Sequence, residues 1–529
     1  MGGGLLQLVA MGAQDAYLSG NPQITFWKGL FKRHTNFAME AFRLNFTGQP
    51  NWGTKQSVIV NRNADLLYNT YLEVVLPHYD PVSQPNAVYN NDQFRLGYNL
   101  LQYVELEIGG QLIDRQYGEW MYLWDTLTTS TEQAAMSQQL LSGAGRSLAF
   151  SHGSVGHHIG TTGPTNTLGN SAIDVGLSVS TNSFTNSTVD QSASPGQVVA
   201  FAKSASCTAA AGNHNGHPNV IYVPLKFFYT RNPGAALPLI ALQYHEVKIN
   251  LLWNTNQLVS GDYKHVPVPA QPSQASIYVD YIYLDVEERR RMAQESHEYL
   301  IEQVQYNEDK GISSYNNRID LTFNHPVKEL VWVVQPTCYR NCKVAIPTST
   351  AVGLVPGARI TSTTQGISSN VNRLTPFTYD QNAVHKQHLQ INGQDRFDAR
   401  YGDYFNKVQV AQHHTGSAAN AFVNYMCGAT TTTGSGASVN YSTPLIGGPV
   451  YQTPQPGIYC YSFALKPEEH QPSGTCNFSR IDTATLAITL SGDIVVDPDT
   501  DATWDIRVYA TNYNILRIMS GMAGLAYSN

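Results

Sequence analysis

Charge is scarce in this chain. Asp, Glu, Lys and Arg make up 13% of its 529 residues, and the net charge is −7 at pH 7. A surface built to coat nucleic acid needs a basic face, so no direct nucleic-acid partner is expected. Long apolar runs are missing too. The longest, Ala235–Leu242, contains Pro238 and falls far short of the ~20 residues that cross a bilayer as a helix. The opening MGGGLLQLVAMG has no basic stretch, which speaks against a secretory signal. Leu6 stands where a myristoylation pattern needs Ser or Thr. Cysteine is sparse: Cys207, Cys338, Cys342, Cys427, Cys460 and Cys476 form no C-x-x-C pair. The Cys338/Cys342 spacing lacks the second pair that a zinc site needs. Six free, packing thiols in a reducing compartment are expected.

The motifs of catalysis are also missing. There is no G-x-S-x-G, no G-x-x-x-x-G-K and no G-x-G-x-x-G. His245-Glu246 and His297-Glu298 begin like a zinc-protease helix, but Ile249 and Ile301 stand where the second histidine belongs. His385 and His388, with His413-His414, have no accompanying H-x-H and Glu. His152, His157 and His158 read as solvated loop residues. Glu105 and Glu107 alternate with Val104, Leu106 and Ile108, so they read as the solvent face of a strand rather than an acid/base pair. The chain is therefore expected to be no enzyme and to hold no metal or cofactor.

What is present points to strands. Tyr numbers 31 and Gly 42, with many Asn, Ser and Thr, and this suits sheets and turns rather than helix bundles. The strongest internal signal is an echo. VELEIGGQLIDRQYGEW (Val104–Trp120) and QHLQINGQDRFDARYGDY (Gln387–Tyr404) share Leu-x-Ile-x-Gly-Gln and then Tyr-Gly-acidic-aromatic. Leu106 corresponds to Leu389 and Tyr117 to Tyr401, with one residue added between them in the second copy. A second echo precedes each: LEVVLP (Leu72–Pro77) and LVWVVQP (Leu330–Pro336). Ordered echoes mean a duplicated domain. Each copy carries a two-residue hairpin turn needing positive φ, met by Gly109-Gly110 once and by Asn392-Gly393 once. Leu72, Val74 and Leu76 mark one strand, and His245, Val247, Ile249, Leu251 and Trp253 another. Ile277–Leu284 and Asp505–Tyr513 also read as strands. Asp285 before VEERRRMAQ, with Glu288 three residues on, predicts a helix with a capping box. Arg289–Arg291 would then be a solvated face or, on a sharper reading, would bridge the domain junction. Segments 142–218 and 415–449 are rich in Gly, Ser, Thr and Asn and read as long surface excursions. Two antiparallel β-sandwiches follow.

Several stretches are long and specific enough to carry a family resemblance. They are GAQDAYLSGNPQITFWK (Gly12–Lys28), FKRHTNFAMEA (Phe31–Ala41), ALPLIALQYHEVK (Ala236–Lys248), SHEYLIEQVQ (Ser296–Gln305), LQINGQDRF (Leu389–Phe397), QPSGTCNFSRID (Gln471–Asp482) and NYNILRIMSGMAGLAY (Asn512–Tyr527). Together they resemble the major capsid proteins of nucleocytoplasmic large DNA viruses, in the phycodnavirus and mimivirus-like branch. Trp27, where the family more often has Phe, and a longer 142–218 segment are local departures. The resemblance implies an all-β double jelly roll, two tandem eight-stranded antiparallel rolls with long inserted loops and few short helices. It implies an arm at 1–25, a first roll at 26–285, a linker with a short helix at 286–304, a second roll at 305–513 and a final segment at 514–529. The implied function is structural: homotrimers of pseudo-hexagonal shape tile an icosahedral shell in the virion. Minor capsid, penton and internal membrane-associated viral proteins would be neighbours, and assembly would take place in the host cytoplasm. A carbohydrate- or receptor-binding jelly roll is the alternative. Leu5, Leu6, Leu8, Val9, Gln14, Asp15 and Tyr17 are the candidate assembly contacts of the arm. Sequons at Asn45, Asn186, Asn440 and Asn477 are candidate glycosylation sites or chance matches in an Asn- and Thr-rich chain.

Overall fold

The computed structural model describes residues 3–76 apart from positions 25, 27, 28 and 30, then 96–130 with 133, 136, 137, 140 and 141. It also describes 219–254, 271–336, 383–416, 458–490 and 503–527. Segments 142–218 and 417–449 lie outside the described residues, and with them His152, His157, His158, Asn186, Asn440, Cys207 and Cys427. So do Trp27, Cys338 and Cys342.

Eight strands build the first unit: β1 Phe37–Asn45, β2 Lys55–Val60, β3 Leu66–Leu76, β4 Leu101–Ile108, β5 Gln111–Tyr117, β6 Asn219–Pro224, β7 Val247–Trp253 and β8 Gln274–Leu284. They form two antiparallel sheets, in the orders β1-β8-β3-β6 and β2-β7-β4-β5. Eight more build the second: β9 His297–Ile312, β10 Asn316–Asp320, β11 Pro326–Pro336, β12 Val384–Ile391, β13 Gln394–Asp395, β14 Ile458–Ser462, β15 Ala484–Leu490 and β16 Trp504–Met519. Their sheets run β9-β16-β11-β14 and β10-β15-β12-β13. Each of these eight strands of the first unit thus has its counterpart eight places on, and the short strands Leu237–Pro238, Arg400–Tyr401, Cys476–Asn477 and Met522–Leu525 add pairings beside this common frame. The interleaved order, with first beside last and third beside sixth, is that of a jelly roll. Helices are few and short: α1 Gly3–Val9, α2 Ala13–Ser19, α3 Gly118–Thr128, α4 Val286–Gln294, and a turn at Tyr404–Val408 leading into α5 Gln409–His413.

Period-two patterning decides which way each strand faces. Leu72, Val74 and Leu76 of β3, and Val247, Ile249, Leu251 and Trp253 of β7, point inward and are buried. Burying each such side chain contributes roughly 1.5–3 kcal/mol. The echoed turns are as expected. Gly109 and Gly110 have φ of 59° and 85°, and Asn392 and Gly393 have 51° and 76°. The first copy cannot use Asn-Gly, because a Cβ on Gly109 would lie 2.4 Å from the His245 ring. The added residue of the second copy also finds its place. In the first hairpin the register slips once, between Leu106/Asp114 and Glu107/Leu112. In the second, pairing breaks between Gln390/Asp395 and Gln387/Arg400, and this wider bulge holds one residue more.

The glycines of the two Tyr-Gly echoes do the same job. A Cβ on Gly118 would meet the Leu101 carbonyl oxygen at 2.1 Å, and one on Gly402 would meet the Val384 oxygen at 2.3 Å. In each roll the chain leaves the hairpin by passing hard against the start of the neighbouring strand.

Three expectations need correction. Glu105 is not a solvated strand residue but is 5% exposed. Lys55 reaches it at 2.9 Å from β2, two strands away, and Arg115 at 2.6 Å from the neighbouring β5, and their long side chains cover it. Asp285 caps α4 by accepting the Val286 N–H at 2.8 Å, and no reciprocal Glu288 bond occurs among the described residues. Of the three arginines, Arg289 is the bridging one, 3.0 Å from the buried Asp65, while Arg290 and Arg291 pair only with exposed glutamates of their own segment.

Candidate functional site

The junction between the two rolls is the most heavily built feature of the molecule. α3 and β5 of the first roll pack on the outer face of the β9-β16-β11-β14 sheet. Trp120, Leu123 and Leu127 share one buried cluster with Val331, Val333, Cys460 and Tyr509. The Tyr117 and Tyr306 ring centres are 4.8 Å apart, and those of Trp120 and Tyr509 are 5.5 Å apart.

Polar groups lock this contact. Glu119 accepts from Arg507 Nε and Nη2, both at 2.6 Å, and from the Tyr509 hydroxyl at 2.6 Å. The Arg507 side chain is 1% exposed. Glu302 lies between Arg231 of the first roll and Lys328, the latter at 2.8 Å. Burial pushes the Glu302 pKa up, but Arg231 and Lys328 outweigh it and hold the group below the usual carboxylate range. His414 sits between Glu329 at 3.3 Å and Glu468 at 3.1 Å. Burial opposes its charge, yet the neighbouring Cys460, Glu329 and Glu468 side chains raise its pKa well above the ordinary value. Asp114 accepts from Val304 N–H at 3.2 Å and from the Gln116 amide. Its complete burial pushes its pKa up to about 6. Gln303 donates to the Ile113 carbonyl. The chain's last described segment adds to the lock: Tyr244 N–H donates to Gly521 O at 3.0 Å, and Ala523 N–H to His245 Nδ1 at 3.1 Å.

Such a network fixes the geometry of the junction. No group of three or more His, Cys, Asp or Glu able to hold a metal occurs among the described residues. His385 sits in a β-bulge of β12, so both it and His388 lie off the buried face that holds Val384, Gln387 and Leu389. Sequence reasoning missed the junction, although a signal was present. LVWVV in β11 is apolar without alternation, as in a strand covered on both faces, whereas LEVVL in β3 keeps its polar position.

The arm residues stand apart from both rolls. α1 and α2 have no buried residue. Leu5, Leu6, Leu8 and Val9 are 57–74% exposed and Tyr17 is 89% exposed. Gln14 is exposed as well, and Asp15 accepts the Gly12 N–H at 2.8 Å, starting α2. Of the two described sequons, Asn45 ends β1 with an exposed side chain. Asn477 accepts the Ser479 N–H at 3.1 Å, and the Ser479 hydroxyl accepts the His325 N–H at 2.8 Å. The second sequon thus has a structural use in a short 3-10 turn.

Two family profiles cover nearly the whole chain. "Major capsid protein N-terminus" matches residues 25–285, and "Large eukaryotic DNA virus major capsid protein" matches 288–443 and 440–524. The major capsid protein of Phaeocystis pouchetii virus is 38% identical, over the whole length of both chains. That of Paramecium bursaria Chlorella virus 1 is 34% identical, again over both whole chains. Among solved structures, PBCV-1 VP54, as fitted into a cryo-EM reconstruction of the virophage Sputnik, is similar with a TM-score of 0.61 and 31% identity. The similarity covers 96% of this chain and 100% of that one.

Proposed function

The chain belongs to the family of major capsid proteins of large eukaryotic DNA viruses, and on that premise we propose that it works as a homotrimer. Its role is structural, as a component of the virion capsid. Three copies would place six rolls in a near-hexagonal block, and such blocks would tile the shell. The observation that carries this reading is the duplication: each strand of β1–β8 recurs in the same sheet position in β9–β16. Two like rolls held rigidly by a buried junction give one third of a pseudo-sixfold ring. Low overall charge suits large permanent contacts between copies. Light scattering on the purified chain over a range of concentrations tests the proposal. The expected mass is three times 58.2 kDa; a monomer at every concentration would sink it.

Residues 1–25 form the assembly arm in this reading. Among the described residues none of its apolar side chains is buried, which suits docking on neighbouring copies, minor capsid or penton proteins, or internal membrane-associated viral proteins during assembly in the host cytoplasm. Deleting the arm should leave roll stability unchanged and impair shell formation. Unimpaired shells would exclude the role. Asn45 is the described sequon whose side chain is both exposed and unused, and Asn186, Asn440 and Asn477 remain candidates. Intact mass of virion-derived protein reports any glycan.

A further inference from the structure

A buried histidine sits where three segments of the junction meet. His414 follows α5, and its side chain has no exposed surface. Its Nε2 lies 3.3 Å from Oε2 of Glu329 on β11, and its Nδ1 lies 3.1 Å from Oε1 of Glu468. A neutral imidazole carries one N–H and would turn a lone pair toward one of these carboxylates. Only the doubly protonated ring suits both. Glu329 is also fully buried, and neither of its oxygens has a hydrogen-bond partner among the described residues. Without a charged His414 that carboxylate would face an uncharged ring, which is costly in a protein interior.

Glu468 carries the contact on to the first roll. Its carboxylate accepts the Thr415 N–H at 2.9 Å and the Thr415 hydroxyl at 2.6 Å. Gly416, the next residue, donates its N–H to the Leu127 carbonyl near the end of α3, at 2.9 Å. The fit is close, since a Cβ on Gly416 would lie 2.5 Å from the Thr129 carbonyl oxygen. Glu468 belongs to the loop 463–475, which joins β14 to the strand Cys476–Asn477. In the same loop the Pro467 carbonyl accepts from Lys328 Nζ at 2.6 Å, whereas Leu465 is 75% exposed.

The other charged groups facing this site leave the pairing in place. Cys460 of β14 lies beside the ring as a neutral thiol, because burial pushes its pKa up. Burial likewise pushes the Tyr513 phenol of β16 up to about 12. Lys328 of β11 pairs with Glu302 of β9, which also holds Arg231 of the first roll and lies 3.9 Å from His470 of the loop. Asp125 of α3 is engaged by Lys226, Thr129 and Ser137. His413 meets the Leu465 carbonyl, and Lys466 pairs with Glu469 on the exposed side of the loop. Glu302, Glu329 and Glu468 thus stand against Arg231, Lys328 and His414, a balance that holds only while His414 is charged.

We propose that doubly protonated His414 is a clasp of the roll junction: it joins Glu329 to Glu468 and so seats the loop 463–475 and Gly416 against the first roll. Loss of one proton in alkaline solution opens the clasp while both rolls stay folded. The direction follows from the pairing. Burial opposes the charge, but Cys460, Glu329 and Glu468 outweigh it, so the folded chain holds this proton more tightly than the unfolded chain does. The contribution is whole below pH ~6.5 and is lost as pH rises through the folded value. Glu468 sets the acid limit. Burial raises its pKa, but His414 and Thr415 outweigh this and lower it, so its part is whole above pH ~4.3 and is lost only as pH falls further. The clasp works within one chain, whatever its oligomeric state.

Hydrogen exchange read by mass spectrometry on the whole chain tests this, from pH ~6 to pH ~10 with labelling times scaled to a constant intrinsic rate. In the wild type, protection of peptides covering 411–416 and 463–475 should fall about tenfold per pH unit above one alkaline midpoint, the slope of a single proton. Strands β3 and β11 should stay protected. His414→Gln should lose the protection at every pH and show no midpoint. Glu468→Gln removes one carboxylate partner and should move the midpoint to lower pH, whereas a role in packing alone would leave it in place. His470→Gln should leave it unchanged. Lys328 is a second buried cation whose proton burial loosens. A midpoint that persists in His414→Gln would belong to Lys328 and overturn the assignment. Protection that stays flat up to global unfolding, or a Glu468→Gln midpoint equal to that of the wild type, would also overturn it. Should His414→Gln fail to fold, the Glu468→Gln shift decides alone.

Discussion

Glu119→Ala should be among the most damaging single changes at a position that is not part of either roll's core. Its carboxylate takes two guanidinium bonds from Arg507 and one from the Tyr509 hydroxyl, each at 2.6 Å. Arg507 is 1% exposed and would keep its bond to the Gln335 side-chain oxygen, at 2.7 Å, but lose its charged partner. Leaving one member of a buried pair without its partner costs about 3–5 kcal/mol. Glu119 is itself 25% exposed, so water can reach part of the gap and the lower end, about 3 kcal/mol, is expected. The reverse change, Arg507→Met, leaves a carboxylate that can rehydrate and a methionine that fills apolar space, so it should cost about 1–2 kcal/mol. The double variant should resemble Arg507→Met. Thermal unfolding at one fixed protein concentration measures all three, since oligomers make melting concentration-dependent. In units of about 150–250 residues, 3 kcal/mol corresponds to roughly 6–12 °C. Equal losses for the two single variants, or less than about 1 kcal/mol for Glu119→Ala, would refute this asymmetry.

Other outcomes follow from the same geometry. Gly402→Ala should destabilise the second roll by about 3 kcal/mol, because the new Cβ must push the Val384 carbonyl away; calorimetry would show it. Gly109→Asn has a tolerated φ but should still destabilise, since its Cβ meets His245. Adding His245→Ala should recover part of the loss in a melting series. Asp114 has a folded pKa of about 6, above the usual aspartate value. Its contribution is therefore fully present below pH ~4 and lost as pH rises through 6. Asp114→Asn should match wild type near pH ~3 and exceed it by up to roughly 3 kcal/mol above pH ~7. A difference constant with pH would reject the assignment.

The hairpins were legible in the sequence because their causes are local. A two-residue turn with positive φ restricts residue choice, and period-two alternation marks the strands beside it. The duplication was legible for the same reason, since two copies of one locally constrained element look alike. The strand order was not. β1 pairs with β8, Phe37 opposite Leu284, and no local pattern records a partner so distant. Glu105 was misread because the cover comes from Lys55, fifty residues away. The junction was only half legible. The unbroken apolar run of β11 marks a strand with two covered faces, but no local pattern pairs Arg507 with Glu119, 388 residues away. The arm's exposed leucines were visible in sequence, whereas their two short helices were not, since Gly2–Gly4 and Gly12 weigh against helix.

Imaging the purified chain by cryo-electron microscopy tests the pseudo-hexagonal trimer most directly. Six lobes around a threefold axis, alternating between two slightly different roll shapes, with a mass three times 58.2 kDa, are the predicted result. A two-lobed particle of 58.2 kDa at all concentrations would contradict it.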